Sequence, residues 1–426
     1  MTSKESRVEN AHATTPSRSR LARIMLGLSL MLIAFNLRPL FASLSVLLPD
    51  LLRETSLSSA EAGYLTTLPV LCLGLFAPLA PKISERIGPE RTLLCVLLVL
   101  LAGTGLRGLG DMYSLFIGSA LAGAAIATGN VLLPSVVKRD FSGQAALMTG
   151  LYTMALCGGA ASAAALTLPI VHVFDDSWRA GLAIWAVPAA LVAVIWAPQA
   201  LRARSVSGQP RRTVTGLWRD PLAWQVTLFM GLQSALAYCV LGWMAPILRG
   251  RGLDGIEAGL IASVSIMVQV VTCLLAPTLA LRFKSQKWIN AGFGIIAAVG
   301  LVGMLYAPLP TIWGWAVLQG IGQGGLFAMA MTVIVLRSPD SHVAAHLSGM
   351  AQGVGYVLAA FGPLLVGVLH SMTGSYDATA WLFMALGLLV AVNGWGAGRT
   401  LLVKARSTDV RARETHGLTQ QRSRPM

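Results

Sequence analysis

Acidic side chains are scarce in this 426-residue chain: 18 Asp and Glu stand against 32 Lys and Arg, and all 18 fall in polar tails, in loops or at the ends of apolar runs. No buried carboxylate therefore offers itself as a proton carrier. His172, His342, His346 and His370 also sit near run ends, so a buried histidine relay has no candidate either. The 5 cysteines, Cys72, Cys95, Cys157, Cys239 and Cys273, form no CxxC pair and have no histidines at ligand spacing, which excludes a disulfide framework and a zinc site. They read as small packing residues inside apolar runs. Neither an HExxH nor a GxSxG string occurs, and there are no paired buried carboxylates, so nothing points to an intramembrane enzyme, a metal or a cofactor. Charged residues of either sign make up only 12% of the chain and its mean hydropathy is +0.68, which excludes a soluble protein with a polar surface.

What the chain has in abundance is apolar runs of bilayer-crossing length. They fall at about 21–51, 59–81, 92–110, 112–136, 143–170, 180–199, 221–248, 256–280, 288–308, 311–336, 343–369 and 379–402, which makes twelve helices. The net charge of +14 could suggest nucleic acid, yet the cations are scattered singly between these runs, and membrane topology explains them better. With the amino terminus placed inside, 26 Lys and Arg lie on the cytoplasmic side and five, Arg53, Arg107, Arg179, Arg249 and Arg251, on the other. By the positive-inside rule both termini are expected in the cytoplasm. Residues 1–20 and 403–426 are polar and read as disordered cytoplasmic tails.

A basic, polar linker at 201–220, with Gly208 and Pro210, separates two halves, 21–200 and 221–402. The halves echo each other: Glu61-Ala62-Gly63 returns as Glu257-Ala258-Gly259 and Pro81 as Pro277 at an offset of 196, Gly123 as Gly320 at 197, and Gly150 as Gly349 at 199. A nearly constant offset with matching helix boundaries is the trace of a duplicated six-helix unit. The expected fold is an all-α membrane protein with twelve transmembrane helices in two six-helix pseudo-symmetric halves.

One cation breaks the first apolar run, at Phe35-Asn36-Leu37-Arg38-Pro39-Leu40. An arginine near mid-helix costs at least a few kcal/mol in a bilayer and so normally faces a cavity, a partner or a ligand. The nearest carboxylate on the same run is Asp50, about 18 Å along a helix at ~1.5 Å per residue. A structural alternative is that Arg38 caps carbonyls at the kink before Pro39. Arg107, by contrast, is expected to pair with Asp111 one helical turn on.

Over residues 20–402 the chain resembles a major facilitator superfamily transporter. The stretch Pro81-Lys82-Ile83-Ser84-Glu85-Arg86-Ile87-Gly88-Pro89-Glu90-Arg91 is similar to the superfamily's charged loop after the second helix, with Pro81 in place of its leading glycine and Arg91 the only following cation. The resemblance implies gating roles for Glu85, Arg86, Gly88 and Arg91, and a conformational role for Pro39. Asn36-Leu37-Arg38-Pro39, with Gly129-Asn130-Val131-Leu132-Leu133-Pro134 and Gly150-Leu151-Tyr152-Thr153, resembles the branch of cyanate porters and 2-nitroimidazole exporters. That branch implies a secondary active transporter, monomeric in the bacterial inner membrane, moving a small anionic or planar polar solute by alternating access. A substrate-borne proton, exchange against another solute and passive movement all stay open as modes of coupling.

A central path is implied between the first, fourth, seventh and tenth helices, flanked by the second, fifth, eighth and eleventh. The polar residues there are Asn36, Arg38, Asn130, Tyr152 and Thr153, and in the second half Gln233, Tyr238, Gln269, Gln323, Gln352 and Tyr356. The repeat sets Gln233 and Ser234 opposite Arg38. For any of the amides, structural bonding between helices is the alternative. Two other readings of the frame are a non-transporting receptor or assembly protein, for which no added soluble domain is seen, and a multidrug exporter, whose fifth-helix proline is missing at Gly158-Gly159.

Overall fold

The computed structural model describes residues 20–409, apart from 56, 142–143, 204–211, 281 and 340. Residues 1–19 and 410–426 of the two expected tails and the middle of the linker lie outside the described residues. Among the described residues, twelve spans are long and apolar enough to cross a membrane. The first is made of α1 (Arg20–Asn36) and α2 (Pro39–Glu54), the second of α3 (Ser59–Phe76), which leads into α4 (Leu79–Ile87). Then come α5 (Pro89–Leu106), α6 (Met112–Asp140), α7 (Ala145–Val173) and a sixth span of α8 (Trp178–Ala183) with α9 (Ala186–Arg202). A short strand β1 (Arg212–Thr215) precedes the second half: α10 (Pro221–Gly250), α11 (Gly255–Ala280), α12 (Lys287–Tyr306), α13 (Ile312–Leu336), α14 (Ser341–Thr373) and α15 (Asp377–Ala397), with β2 (Arg406–Asp409) after it. The spans alternate in direction, so Arg20, the linker and β2 share one end of the bundle, the termini end; the opposite end is the far end.

Three expectations are corrected here. The first run is not one helix: Pro39 has no N–H to give to the preceding turn, so α1 stops at Asn36, and Arg38, at φ −119°, stands between two helices as the cap of α2. The chain turns tightly, with Leu37 N donating to Ala34 O at 3.0 Å and Phe41 N to Arg38 O at 3.2 Å. The charged stretch after the second span is largely helical, as α4, and ends at Gly88, whose φ of +88° redirects the chain into α5. The start of the carboxyl-terminal tail is not free, because β2 pairs antiparallel with β1 of the linker, from Arg212 opposite Asp409 to Thr215 opposite Arg406. Val403 N donates to Arg337 O and Lys404 N to the Asp220 carboxylate, which fastens the tail to the bundle.

Four of the acids cap helix starts. Ser58 and Glu61 form a reciprocal capping box on α3, and Asp111, Asp220 and Asp254 accept from Ser114 N, Leu222 N and Ile256 N at 2.8, 2.8 and 3.0 Å. Each satisfies backbone donors that the first turn leaves without partners. The halves meet where α3 packs on α14 and α7 on α11. Large apolar side chains of α5, α9, α12 and α15, such as Leu98, Val194, Ile295 and Leu388, point away from the bundle. An apolar outer face on this scale marks a lipid-facing surface.

Candidate functional site

The break in the first span is held open from behind by a glycine. At Gly159 of α7 a Cβ would collide with the carbonyl of Phe35, so only glycine lets α7 close on the last turn of α1. On the other side Arg38 points across the bundle. Its Nη1 donates to the Tyr238 hydroxyl of α10 at 3.3 Å, and the guanidinium lies 5.7 Å from the Tyr238 ring centroid. Tyr238 in turn packs on Phe41 of α2 at 5.2 Å and edge-on to Tyr356 of α14 at 6.1 Å. Arg38 forms no ion pair among the described residues.

Arg38 lines a cavity of about 60 Å³ between the halves, with Thr153 and Cys157 of α7, Gln269 and Cys273 of α11, and Gln323 and Phe327 of α13. At roughly 10–15 Å³ per water, that is room for about four to six water-sized groups. Gln323 is pinned from the side away from the cavity: its Nε2 donates to Gln233 O at 3.1 Å and to Gln233 Oε1 at 3.3 Å, while Gln233 Nε2 donates to Ser234 Oγ at 2.8 Å. The buried Gln323 Oε1 meets no donor among the described residues. One cation and two amides thus face a small space lined by both halves.

Of the residues singled out in the sequence, the structure brings Arg38, Thr153, Gln269 and Gln323 to this cavity, with Tyr238 and Tyr356 beside the cation. It does not bring the others there. Asn36 donates to Leu32 O of its own helix at 2.9 Å, and Gln352 to Ser348 Oγ at 2.8 Å. Gln233 supports Gln323, Tyr152 belongs to the buried core, and Asn130 stands off the cavity lining. Sequence reasoning missed Cys157, Cys273 and Phe41. The two cysteines stand four residues after Thr153 and Gln269, which puts each on the same helix face as its polar neighbour; that spacing was the available signal.

One charged feature differs from expectation. Arg107 does not pair with Asp111, which caps α6; it is fully buried and donates through Nη1 to Leu40 O at 3.2 Å. Glu85, Arg86 and Arg91 are exposed near the termini end, and Arg91 reaches the carbonyls of Ala200 and Ala203 within the first half. A bidentate pair between the halves lies at the far end. There Arg249 of α10 binds Asp50 of α2 through Nη1 at 2.7 Å and Nη2 at 2.9 Å, and Nη1 also donates to Val46 O at 3.2 Å.

The model of the Major Facilitator Superfamily matches residues 24–317. The chain belongs to that superfamily. The transporter is 38% identical to the 2-nitroimidazole transporter of Escherichia coli K12, over 88% of this chain and 96% of that protein. It is 29% identical to the cyanate transport protein CynX of the same organism, over 84% of this chain and 93% of the relative. Its fold overlays on the crystal structure of a D-xylose-proton symporter with a TM-score of 0.70 at 14% identity, covering 90% of this chain and 100% of that one. The sequence matches agree with the branch to which its Asn36-Leu37-Arg38-Pro39 string is similar, and the overlay supports the twelve-helix, two-half fold.

Proposed function

We propose that this transporter moves a small anionic or planar polar solute, of the cyanate or 2-nitroimidazole kind, with Arg38 as the residue that holds it. The observation that carries this reading is a guanidinium, without a carboxylate partner among the described residues, lining a cavity between the two halves. A cation kept out of water at a cost of at least a few kcal/mol gains most from a ligand that brings negative charge or a strong dipole. The planar fork of arginine matches a pair of oxygen or nitrogen acceptors. Gln269 and Gln323 add donors and acceptors at the opposite wall, and Tyr238 holds the guanidinium through its hydroxyl and its nearby ring. A volume of about 60 Å³ holds a triatomic anion of the cyanate kind as it stands, whereas a nitroimidazole would need the halves to part further; it is well below the several hundred Å³ of drug-sized pockets, which counts against a multidrug exporter.

Transport then follows from rocking of the halves around this site. The far end is closed by Asp50 and Arg249, and its opening must break that pair. Both termini lie on the cytoplasmic side of the bacterial inner membrane in this reading, and a single chain contains the complete path. Thermal unfolding of the purified protein with cyanate, nitrate, 2-nitroimidazole and D-xylose tests the assignment. Cyanate or the nitroimidazole should raise Tm saturably in wild type, with D-xylose inert and the shift absent in Arg38→Gln. An equal shift in wild type and Arg38→Gln would contradict it.

A further inference from the structure

Arg107 offers a second cation between the halves, and no function described so far uses it. It stands in the turn at 107–109 that follows α5, near the far end, with its side chain wholly buried. One of its N–H groups goes to Leu40 O; its Nε and Nη2 meet no acceptor among the described residues. The hydroxyl of Ser119 on α6 is equally buried and equally without a partner. Both line a cavity of about 10 Å³, room for one water-sized species, whose other walls include Phe41 and Thr66 from the first half and Tyr238 and Gly242 from the second. Gly118 lets α6 close on α5 beside it, since a Cβ there would lie 2.5 Å from Gly103 O and 3.0 Å from Arg107 Cγ. Tyr238 stands between the two cations: its hydroxyl receives Arg38, and it also lines the Arg107 cavity.

We infer that Arg107 and Ser119 form a second binding site, for one small monovalent anion, on the far-end side of Arg38. A buried guanidinium whose Nε and Nη2 meet no acceptor among the described residues, beside a hydroxyl donor and with no carboxylate lining the cavity, has the chemistry of an anion site, and the water-sized cavity takes one monatomic anion, the larger halides only as its side-chain walls give. The same chemistry would serve a resident halide or the transported anion paused on its way past the Tyr238 and Phe41 rings. The site stands on its own geometry and does not depend on what Arg38 holds.

Bromide is the direct probe. In sodium bromide against sodium gluconate, wild type should show a saturable rise in Tm, and crystals should show an anomalous peak beside Nε and Nη2 of Arg107. Ser119→Ala should weaken bromide about tenfold, the equivalent of one lost charge-assisted hydrogen bond. Arg107→Gln should abolish the effect, whereas Arg38→Gln should retain it. If Arg107→Gln does not fold, Ser119→Ala and the anomalous peak still decide the matter. Competition by cyanate in the Arg38→Gln protein would identify a staging point for solute, and its absence a resident halide; both keep the site. No saturable bromide effect and no peak in wild type, or an unchanged effect in Ser119→Ala with a peak elsewhere, would overturn it.

Discussion

Gln233 and Gln323 show how a side chain that looks functional can work one step removed. Gln323 meets the cavity, and Gln233, buried behind it, accepts its Nε2 protons. Residues that share a hydrogen bond couple, by roughly 0.5–3 kcal/mol, while separated ones add to within a few tenths. Gln233→Ala and Gln323→Ala are therefore expected to be non-additive in thermal stability, and Gln233→Ala combined with Arg38→Ala to be additive. A double-mutant cycle read by unfolding checks both. Arg38 and its nearest polar neighbours were legible in the sequence because a charge in an apolar run demands an explanation. Gln233 was misplaced because a repeat gives the helix and the level, not the face on which a side chain is used. Arg107 was misread because spacing to Asp111 said nothing of the buried carbonyl of Leu40, which comes from a helix 67 positions earlier.

At the level of elements, the broken first span depends on a close approach that the sequence marks only as Gly158-Gly159. Gly159→Ala forces a methyl group against the Phe35 carbonyl, and overpacking of this kind costs about 1–3 kcal/mol. Gly159→Ala should lower Tm measurably, whereas Gly158→Ala, with open space around its Cβ position, should not. The twelve spans were legible from apolar length alone. The break at Arg38, the helix α4 and the pairing of β1 with β2 were not, since each is decided locally by a proline, by capping or by partners nearly 200 residues away, as Thr215 with Arg406 shows.

On the scale of the whole molecule, the pair of Asp50 with Arg249 joins the halves at the far end. Asp50→Asn should favour opening there, so that a cysteine placed at Gly242 reacts faster with a thiol reagent than in the parent; the exchange of Asp50→Arg with Arg249→Asp should restore slow labelling. Equal rates in all three proteins would mean that the pair does not hold the far end shut. Orientation has its own test: cysteines at Ser205 and Thr415 should be shielded from an impermeant reagent in intact cells and one at Ser375 should label, and the reverse would place the termini outside. The most direct test of the central claim is counterflow of labelled cyanate and 2-nitroimidazole into proteoliposomes holding wild type, Arg38→Lys or Arg38→Ala. The account predicts saturable uptake of at least one solute by wild type, a raised Km with residual flux in Arg38→Lys, and none in Arg38→Ala despite normal insertion and Tm. A stable Arg38→Ala protein that transports with wild-type kinetics would contradict it.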